Sequence, residues 1–384
     1  MNVLIVATKA PWPPIDGGRL LLKTTLEGLA ASGCRITLVV PVDSDPEGIA
    51  EALSAWCVPR LVPAAPLSPA RAILWRAPLS IARHSLAAVR REVGRLLETG
   101  CFDLVHAEQL QALPQTEPAA ARGIPVLLRA QNVESDLWAA AAQRGRGVKG
   151  LLLRREAKRL ADWEGRAVRR VSATLALTRE DAARLRELSG GEGDVRVVPA
   201  PFPELPPGPG TLPGEPAVVV FGSRGWLPNE EAAAWFHAEV WPKVRAGLPG
   251  AVLHLFGMDL EGPGVVPHPA PQDSGEAFAP GSILAVPLRI ASGVRIKILE
   301  AWARGVPVVA TPAALAGLDA EDGSEALAAR DAGEFAAAIA RLHREPGLRD
   351  RVIQAGRQAR RDRHDPEKIA ERLIHEYREV VSRA

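Results

Sequence analysis

Between Pro199 and Pro216 there are eight prolines and three glycines in eighteen residues. Proline fixes φ and removes a backbone donor, so this segment can be neither helix nor the interior of a sheet. It cuts the 384-residue chain into two halves, each below the size at which a single hydrophobic core stops growing. The same pattern runs on both sides of the cut. Short apolar runs, typical of parallel strands buried on both faces, alternate with longer amphipathic segments. In the first half the runs predict strands at Val3–Ala7, Ile36–Pro41, Phe102–His106, Val126–Ala130, Thr174–Thr178 and Val195–Val198. A helix is expected over Leu20–Ser32, closed by Gly33. In the second half strands are expected at Ala217–Phe221, Val252–Phe256, Ser282–Val286 and Val308–Thr311, and helices at Asn229–Val240, around Leu299–Trp302 and at Glu367–Val381. Alternation of this kind gives an α/β fold of two Rossmann-like, doubly wound domains, with a cleft between them and ligands at the carboxyl ends of the strands. The expected boundaries are 1–200 for an N-terminal domain, 201–216 for the linker, 217–364 for a C-terminal domain, and 365–384 for a terminal helix returning to the first domain.

Composition narrows the class. Apolar residues make up 47% and charged residues 24%, which suits a globular enzyme. No uninterrupted apolar run reaches the length of a bilayer span, and Met1–Val6 lacks the basic flank of a secretory signal. Cys34, Cys57 and Cys101 have no metal-ligand spacing and fit a reducing, cytoplasmic setting. The net charge of +2 conceals an asymmetry: residues 1–200 carry 27 Lys+Arg against 21 Asp+Glu (+6), and residues 201–384 carry 20 against 24 (−4). Two stretches concentrate the positive charge. Seven arginines and two glutamates lie between Arg60 and Gly100, and ten basic and three acidic residues lie between Arg144 and Arg170. A solvated helical face accounts for both; the other reading is peripheral contact with an anionic membrane or a lipid-linked partner. Nucleic acid is not expected, because no aromatic platform accompanies the charge. There is no Walker A lysine motif, no G-x-G-x-x-G after the first strand and no H-E-x-x-H, so no cofactor is expected. Asp43-Ser44-Asp45 matches a metal-binding Asp-x-Asp, but a tripeptide is a common coincidence and a solvated turn is the better reading.

The most informative stretch runs from Val286 to Thr311. A strand ends at Pro287, Ser292-Gly293 leads into a helix carrying Glu300, and Gly305 ends that helix before a second apolar strand. Backbone amides freed by Ser292-Gly293 at a helix N-terminus suit a phosphate or sugar oxygen. Arg295 and Lys297 add positive charge, and a carboxylate deeper in the helix can bind a vicinal diol.

The segment Leu299-Glu300-Ala301, followed by Gly305-Val306-Pro307-Val308-Val309-Ala310-Thr311, resembles the nucleotide-sugar site of retaining GT-B glycosyltransferases of the group 1, family 4-like type. Other pieces stand in the order of that family: Gly17-Gly18, Asp103-Leu104-Val105-His106, Gln131-Asn132-Val133-Glu134, Leu177–Asp181, Val197-Val198-Pro199, and Phe221-Gly222-Ser223 with Pro228-Asn229. The resemblance covers nearly the whole chain. It implies a GT-B fold and metal-independent, retaining transfer of a sugar from a nucleotide-diphosphate-sugar to an unidentified acceptor, lipid-linked or saccharide. It also implies roles. Glu300 holds the ribose. Gly17, Gly18, Gly222, Arg224, Ser292 and Gly293 contact the donor. Arg295 and Lys297 neutralise the leaving phosphate. His106 or Glu108 assists the acceptor, with Asn132 and Glu134 on the acceptor side. Departures qualify it. The family usually has two glutamates eight positions apart, and Ser292 stands where the first would be. Its early Arg and Lys pair is reduced to Arg224, its His-Asn-Val-Glu loop begins with Gln131, and Glu108 stands where some members have a histidine. A catalytically silent nucleotide-sugar binder and a same-fold epimerase are the competing readings.

Overall fold

The apolar runs of the first half assemble into a seven-stranded sheet and those of the second half into a six-stranded sheet, all pairings parallel. The structure is a computed structural model; it describes residues 1–384 except 44, 45, 73–75, 146, 223–226, 272, 290 and 291, and the side chains of residues 144 and 227. The first sheet contains β1 (Asn2–Val6), β2 (Arg35–Val42), β3 (Val58–Pro63), β4 (Leu104–Glu108), β5 (Val126–Ala130), β6 (Ala173–Ala176) and β7 (Val195–Val197), in the order β3-β2-β1-β4-β5-β6-β7. The second contains β8 (Ala217–Phe221), β9 (Val252–Phe256), β10 (Val265–His268), β11 (Ile283–Val286), β12 (Val308–Ala310) and β13 (Leu327–Ala328), in the order β10-β9-β8-β11-β12-β13. Strand order reverses beside β1 in the first sheet and beside β8 in the second, and these are the switch points where open α/β sheets receive ligands.

Successive residues of a strand face opposite sides of the sheet. Val3 and Ile5 therefore join one core with Leu26, Leu29 and Tyr377, while Leu4 and Val6 join another with Val89, Val93 and Leu128. Both faces are covered, which is why these strands are continuous apolar runs. The helices that matter below are α1 (Gly17–Ala31), α2 (Glu134–Arg144), α3 (Gly147–Arg170), α4 (Arg179–Leu188), α5 (Ile296–Arg304), α6 (Pro346–Arg363) and α7 (Pro366–Ser382). Helix α1 starts three residues before Leu20 because Asp16 caps it: the Asp16 carboxylate accepts the Arg19 N–H at 2.9 Å. The helix expected over Asn229–Val240 runs from Leu227 to Trp235 and continues as a π-helical turn, Phe236–Val240.

Two compact units result. One contains Met1–Pro201, Ser292–Val294 and Pro366–Ala384; the other contains Phe202–Ala291 and Arg295–Asp365. In the first unit α7 lies on α1 at Gly28, where a Cβ would stand 2.9 Å from the Ala370 Cβ. In the second unit the proline-rich segment is packed down. Arg304 donates to the Pro206 carbonyl at 2.9 Å, and a Cβ on Gly208 would stand 2.4 Å from the Gly275 and Phe278 carbonyl oxygens. Helix α5 ends at Gly305, whose φ of 76° is left-handed and favours glycine. Among the described residues no helix is long and apolar enough to cross a membrane.

Candidate functional site

In the second unit the chain leaves β11 and, after Arg295, enters α5. Arg295 is the N-cap residue and is buried; Lys297 is the second residue of the helix. The Lys297 ammonium donates to the carbonyl of Phe221, the last residue of β8, at 2.5 Å, and to Asn229 Oδ1 at 3.1 Å. It therefore sits at the carboxyl end of β8, beside the switch point. Gly222 follows, and its missing side chain admits Asn229: a Cβ there would stand 2.7 Å from Asn229 Cγ. Burial, together with the neighbouring Arg295 charge, pushes the Lys297 pKa down to about 7. Both side chains stand at the N-terminal end of α5, where the helix dipole is positive.

One turn deeper, Glu300 is buried. Its Oε1 accepts from Ser274 Oγ at 2.6 Å and from Arg304 Nε at 2.9 Å. Burial raises its pKa while those two donors oppose the rise. These two donors fix one oxygen of the carboxylate. Arg224 lies outside the described residues, as do Ser44 and Asp45 of the Asp-x-Asp tripeptide.

In the first unit the expected catalytic pair, His106 and Glu108, occupies one face of β4, and Arg129 of β5 stands opposite Glu108 in register. All three are buried. His106 Nδ1 meets the Tyr377 hydroxyl at 2.5 Å, and its Nε2 lies 3.2 Å from Glu108 Oε2. The Arg129 guanidinium is 3.7 Å from the same oxygen and donates to Thr25 Oγ1 at 2.7 Å. Burial works against the Glu108 charge, but Arg129, His106 and Gln131 outweigh it and hold the carboxyl below its ordinary range. The two side chains expected to assist the acceptor thus belong to one buried cluster. His106 is 0% exposed, with Tyr377 and Glu108 at its two ring nitrogens. Glu108 is 1% exposed, and Gln131 Nε2 donates to its Oε1 at 2.8 Å. Gln109 Nε2 then donates to Gln131 Oε1 at 2.9 Å, and Thr8 Oγ1 donates to Gln109 Oε1 at 2.7 Å.

This chain of amides lines a small cleft at the carboxyl ends of β1, β4 and β5, together with Glu108, Lys9, Gly18 and Arg19. Gly17 and Gly18 are the first two residues of α1, and a Cβ on Gly18 would stand 3.1 Å from Gln131 Oε1. Gln109 has a φ of 76°, a conformation that costs a non-glycine residue about 1–3 kcal/mol and is concentrated at functional sites. Arg129, Gln109 and Tyr377 were missed by sequence reasoning. For Arg129 the signal was present, a charge inside the apolar run Val126–Ala130.

The loop Gln131–Glu134 is tied down at both ends. The N–H groups of Glu134 and Ser135 donate to the Glu164 carboxylate at 2.7 and 3.0 Å, capping α2, and burial pushes the Glu164 pKa up to about 7. Burial also raises the Glu134 carboxyl. Asn132, in the amide orientation that satisfies it, donates to the Gln131 and Ser292 carbonyls. Ser292 and Gly293 belong to this unit, and their donors have partners within it. Ser292 Oγ accepts the Val133 N–H at 3.0 Å and donates to Asp181 Oδ1 at 3.1 Å, and the Gly293 N–H donates to Asp181 Oδ2 at 3.1 Å. A carboxylate already holds these donors and would repel a phosphate. Gly293, with φ of 71°, is pressed against Asn132 and the Gln131 carbonyl, where a Cβ would clash.

The described site residues thus fall into two groups: Gly17, Gly18, His106, Glu108, Asn132, Glu134, Ser292 and Gly293 in the first unit, and Gly222, Arg295, Lys297 and Glu300 in the second. Family comparison matches both units. A "Glycosyl transferase 4-like domain" matches residues 17–201 and "Glycosyl transferases group 1" matches residues 215–345, together well over half of the chain. Among solved structures, sucrose-phosphate synthase from Thermosynechococcus elongatus is 17% identical over 100% of both chains, with a TM-score of 0.71. Anabaena HepE in complex with UDP-glucose is 15% identical over 100% of both chains, TM-score 0.67. A glycosyltransferase from Rickettsia africae is 10% identical over 100% of this chain and 99% of its own, TM-score 0.68. At such identities these likenesses bear on the fold, which is GT-B. No curated protein sequence matches.

Proposed function

The chain belongs to the group 1 glycosyltransferases, and from that membership we propose that it moves a hexosyl or other glycosyl group from a nucleotide-diphosphate-sugar to an acceptor hydroxyl, with retention at the anomeric carbon and without a metal ion. The observation that carries this reading is the cationic start of α5. Arg295 and Lys297 stand at the start of α5, Lys297 at the carboxyl end of a switch-point strand, with a buried carboxylate, Glu300, one turn deeper. A diphosphate is held by the two basic side chains, and the Glu300 carboxylate accepts from a ribose hydroxyl.

As the sugar–phosphate bond breaks, negative charge grows on the departing diphosphate, and a fixed guanidinium and ammonium stabilise it most at that moment. Arg295 can grip two phosphate oxygens, whereas Lys297 acts as a point charge. Gly17 and Gly18 remain candidates for a phosphate contact, and Asn132 and Glu134 for the acceptor side, on the resemblance alone. Anabaena HepE is known in complex with UDP-glucose and with UDP and glucose, so UDP-sugars are the first donors to try. Contact with an anionic membrane is the partner that the basic stretches of residues 1–200 support. The test is a thermal-shift screen of UDP-, GDP-, ADP- and dTDP-sugars. A matching donor at 100 times its Kd stabilises the protein by about 2.7 kcal/mol, and no shift with any of them would remove the donor assignment.

A further inference from the structure

Among the described residues seven large apolar side chains are exposed, and three of them, Val148, Leu151 and Leu152, fall within five consecutive positions of α3. They are spaced i, i+3, i+4 and so share one helical face. The residues that α3 buries, among them Gly150, Ala157, Leu160 and Glu164, lie on the opposite face. Single exposed leucines are ordinary on a protein surface; three together on the unpacked side of a helix form a patch. Its place is distinctive. Helix α2 ends at Arg144 and α3 begins at Gly147, so the patch is the tip of a helical hairpin. The tip is braced, since Gly150 lies against Gly145 so closely that a Cβ would overlap the Gly145 carbonyl.

Basic residues frame it. Residues 147–158 contain Lys149, Arg154, Arg155 and Lys158 against Glu156 alone, which gives 4 − 1 = +3. Lys149, Arg154, Arg155 and Lys158 are all exposed, and Arg155 continues the apolar face one turn on, four residues after Leu151 and three after Leu152. Glu156 is turned to other work: it pairs with Arg159 at 2.8 Å and accepts the Leu79 N–H.

We infer that the tip of the α2–α3 hairpin docks on an anionic lipid surface, with Val148, Leu151 and Leu152 entering the interface and Lys149, Arg154, Arg155 and Lys158 meeting the lipid headgroups. An apolar face bordered by Lys and Arg is the chemistry by which amphipathic helices bind such a surface. Charge decides between occupants. A second copy related by a twofold axis would bring +3 against +3. A nucleic acid would find no aromatic side chain between Gly147 and Asp162 to stack on. The inference builds on the anionic partner named in the proposed function, but its test requires neither donor binding nor turnover.

The test is sedimentation of the full chain with vesicles of phosphatidylcholine alone and with about 30% phosphatidylglycerol, at low and high salt. The wild type should pellet with the anionic vesicles only and be released by salt. The double variant Leu151→Ser/Leu152→Ser keeps every charge and should bind at least about tenfold more weakly. The double variant Arg155→Gln/Lys158→Gln should lose roughly fivefold per charge removed. All these residues are exposed, so unchanged melting curves are expected and serve as the folding check. Wild type left in the supernatant with both vesicle types, equal binding to neutral vesicles, or wild-type binding by both variants would overturn the inference. So would light scattering that shows a dimer converted to a monomer by the leucine substitutions. Vesicle binding that persists in a protein unable to bind any nucleotide-sugar would instead count against the transferase reading alone.

Discussion

Lys297 offers the sharpest quantitative handle on the donor site. An ordinary lysine titrates at 10.5, and this one is pushed down to about 7 by burial and by Arg295. The difference corresponds to roughly 5 kcal/mol of disfavoured positive charge, an upper bound because the side chain is only partly sealed from water. Folded and unfolded states then differ in proton binding between pH 7 and 10.5. The unfolded chain holds the extra proton there, so this lysine's destabilising effect is full below pH 7 and is relieved as pH rises through that window. Donor binding reverses the situation. The two phosphates of a nucleotide-sugar are each singly charged and do not titrate near neutrality, so they raise the Lys297 pKa without exchanging protons themselves. Binding at pH 8 should take up close to one proton, and affinity should fall by up to about tenfold per pH unit above 7 and level off below it. Calorimetry in buffers of different ionisation enthalpy measures the uptake directly. Lys297→Met should abolish both the uptake and the slope, leaving a weaker and pH-independent site. Donor binding by the wild type with no proton uptake at pH 8 and a flat affinity from pH 6.5 to 9 would refute the placement of the diphosphate at Lys297.

Three other expectations follow from the same geometry. Glu300→Gln should weaken donor binding by about 2 kcal/mol, the scale of a hydrogen bond to a buried charge, and unchanged affinity in calorimetry would remove the ribose assignment. Transfer should persist in excess EDTA, whereas complete loss restored by Mn²⁺ or Mg²⁺ would revive Asp43 and Asp45 as a metal site. Tyr377→Phe leaves His106 Nδ1 buried without its 2.5 Å partner and should cost about 1–3 kcal/mol, a fall of roughly 2–4 °C in Tm per kcal/mol at this domain size; an unchanged melting curve would show that the contact carries no stability.

The interior of each sheet could be read from residue type alone. Val126–Ala130, Ala217–Phe221 and Val252–Phe256 are strands over those same residues, because a strand covered on both faces must be apolar throughout. The strands that escaped notice are β3, β10 and β13, all at sheet edges. Pro59, Pro63 and Pro267 argue against a central strand, yet an edge strand can leave one side of its backbone unpaired. The α5 site was legible to the level of the motif: Arg295, Lys297 and Glu300 are local to one loop and helix. The state of Lys297 was not, since it depends on Phe221 and Asn229, which lie 76 and 68 positions away. Nor was the engagement of Ser292 and Gly293 by Asp181, across 111 and 112 positions. His106 and Glu108 were noticed as polar residues at a strand end, but their enclosure required Arg129 from the next strand and Tyr377 from α7. In the structure Glu108 accepts from Gln131, and His106 lies between Tyr377 and Glu108.

The central claim is that Arg295 and Lys297 stabilise the charge of a departing nucleoside diphosphate, and the most direct measurement is the rate of nucleoside diphosphate release from the matched nucleotide-sugar. The wild type should release it in the presence of an acceptor, and slowly to water without one. Arg295→Ala should lower kcat more than it raises KM, because the phosphate charge builds up only as the bond breaks, and the double variant with Lys297→Met should lose nearly all release while remaining folded. Wild-type kcat in both single variants would contradict the account and turn attention to Arg224, and a wild type that binds donor yet never releases diphosphate would identify a silent nucleotide-sugar binder.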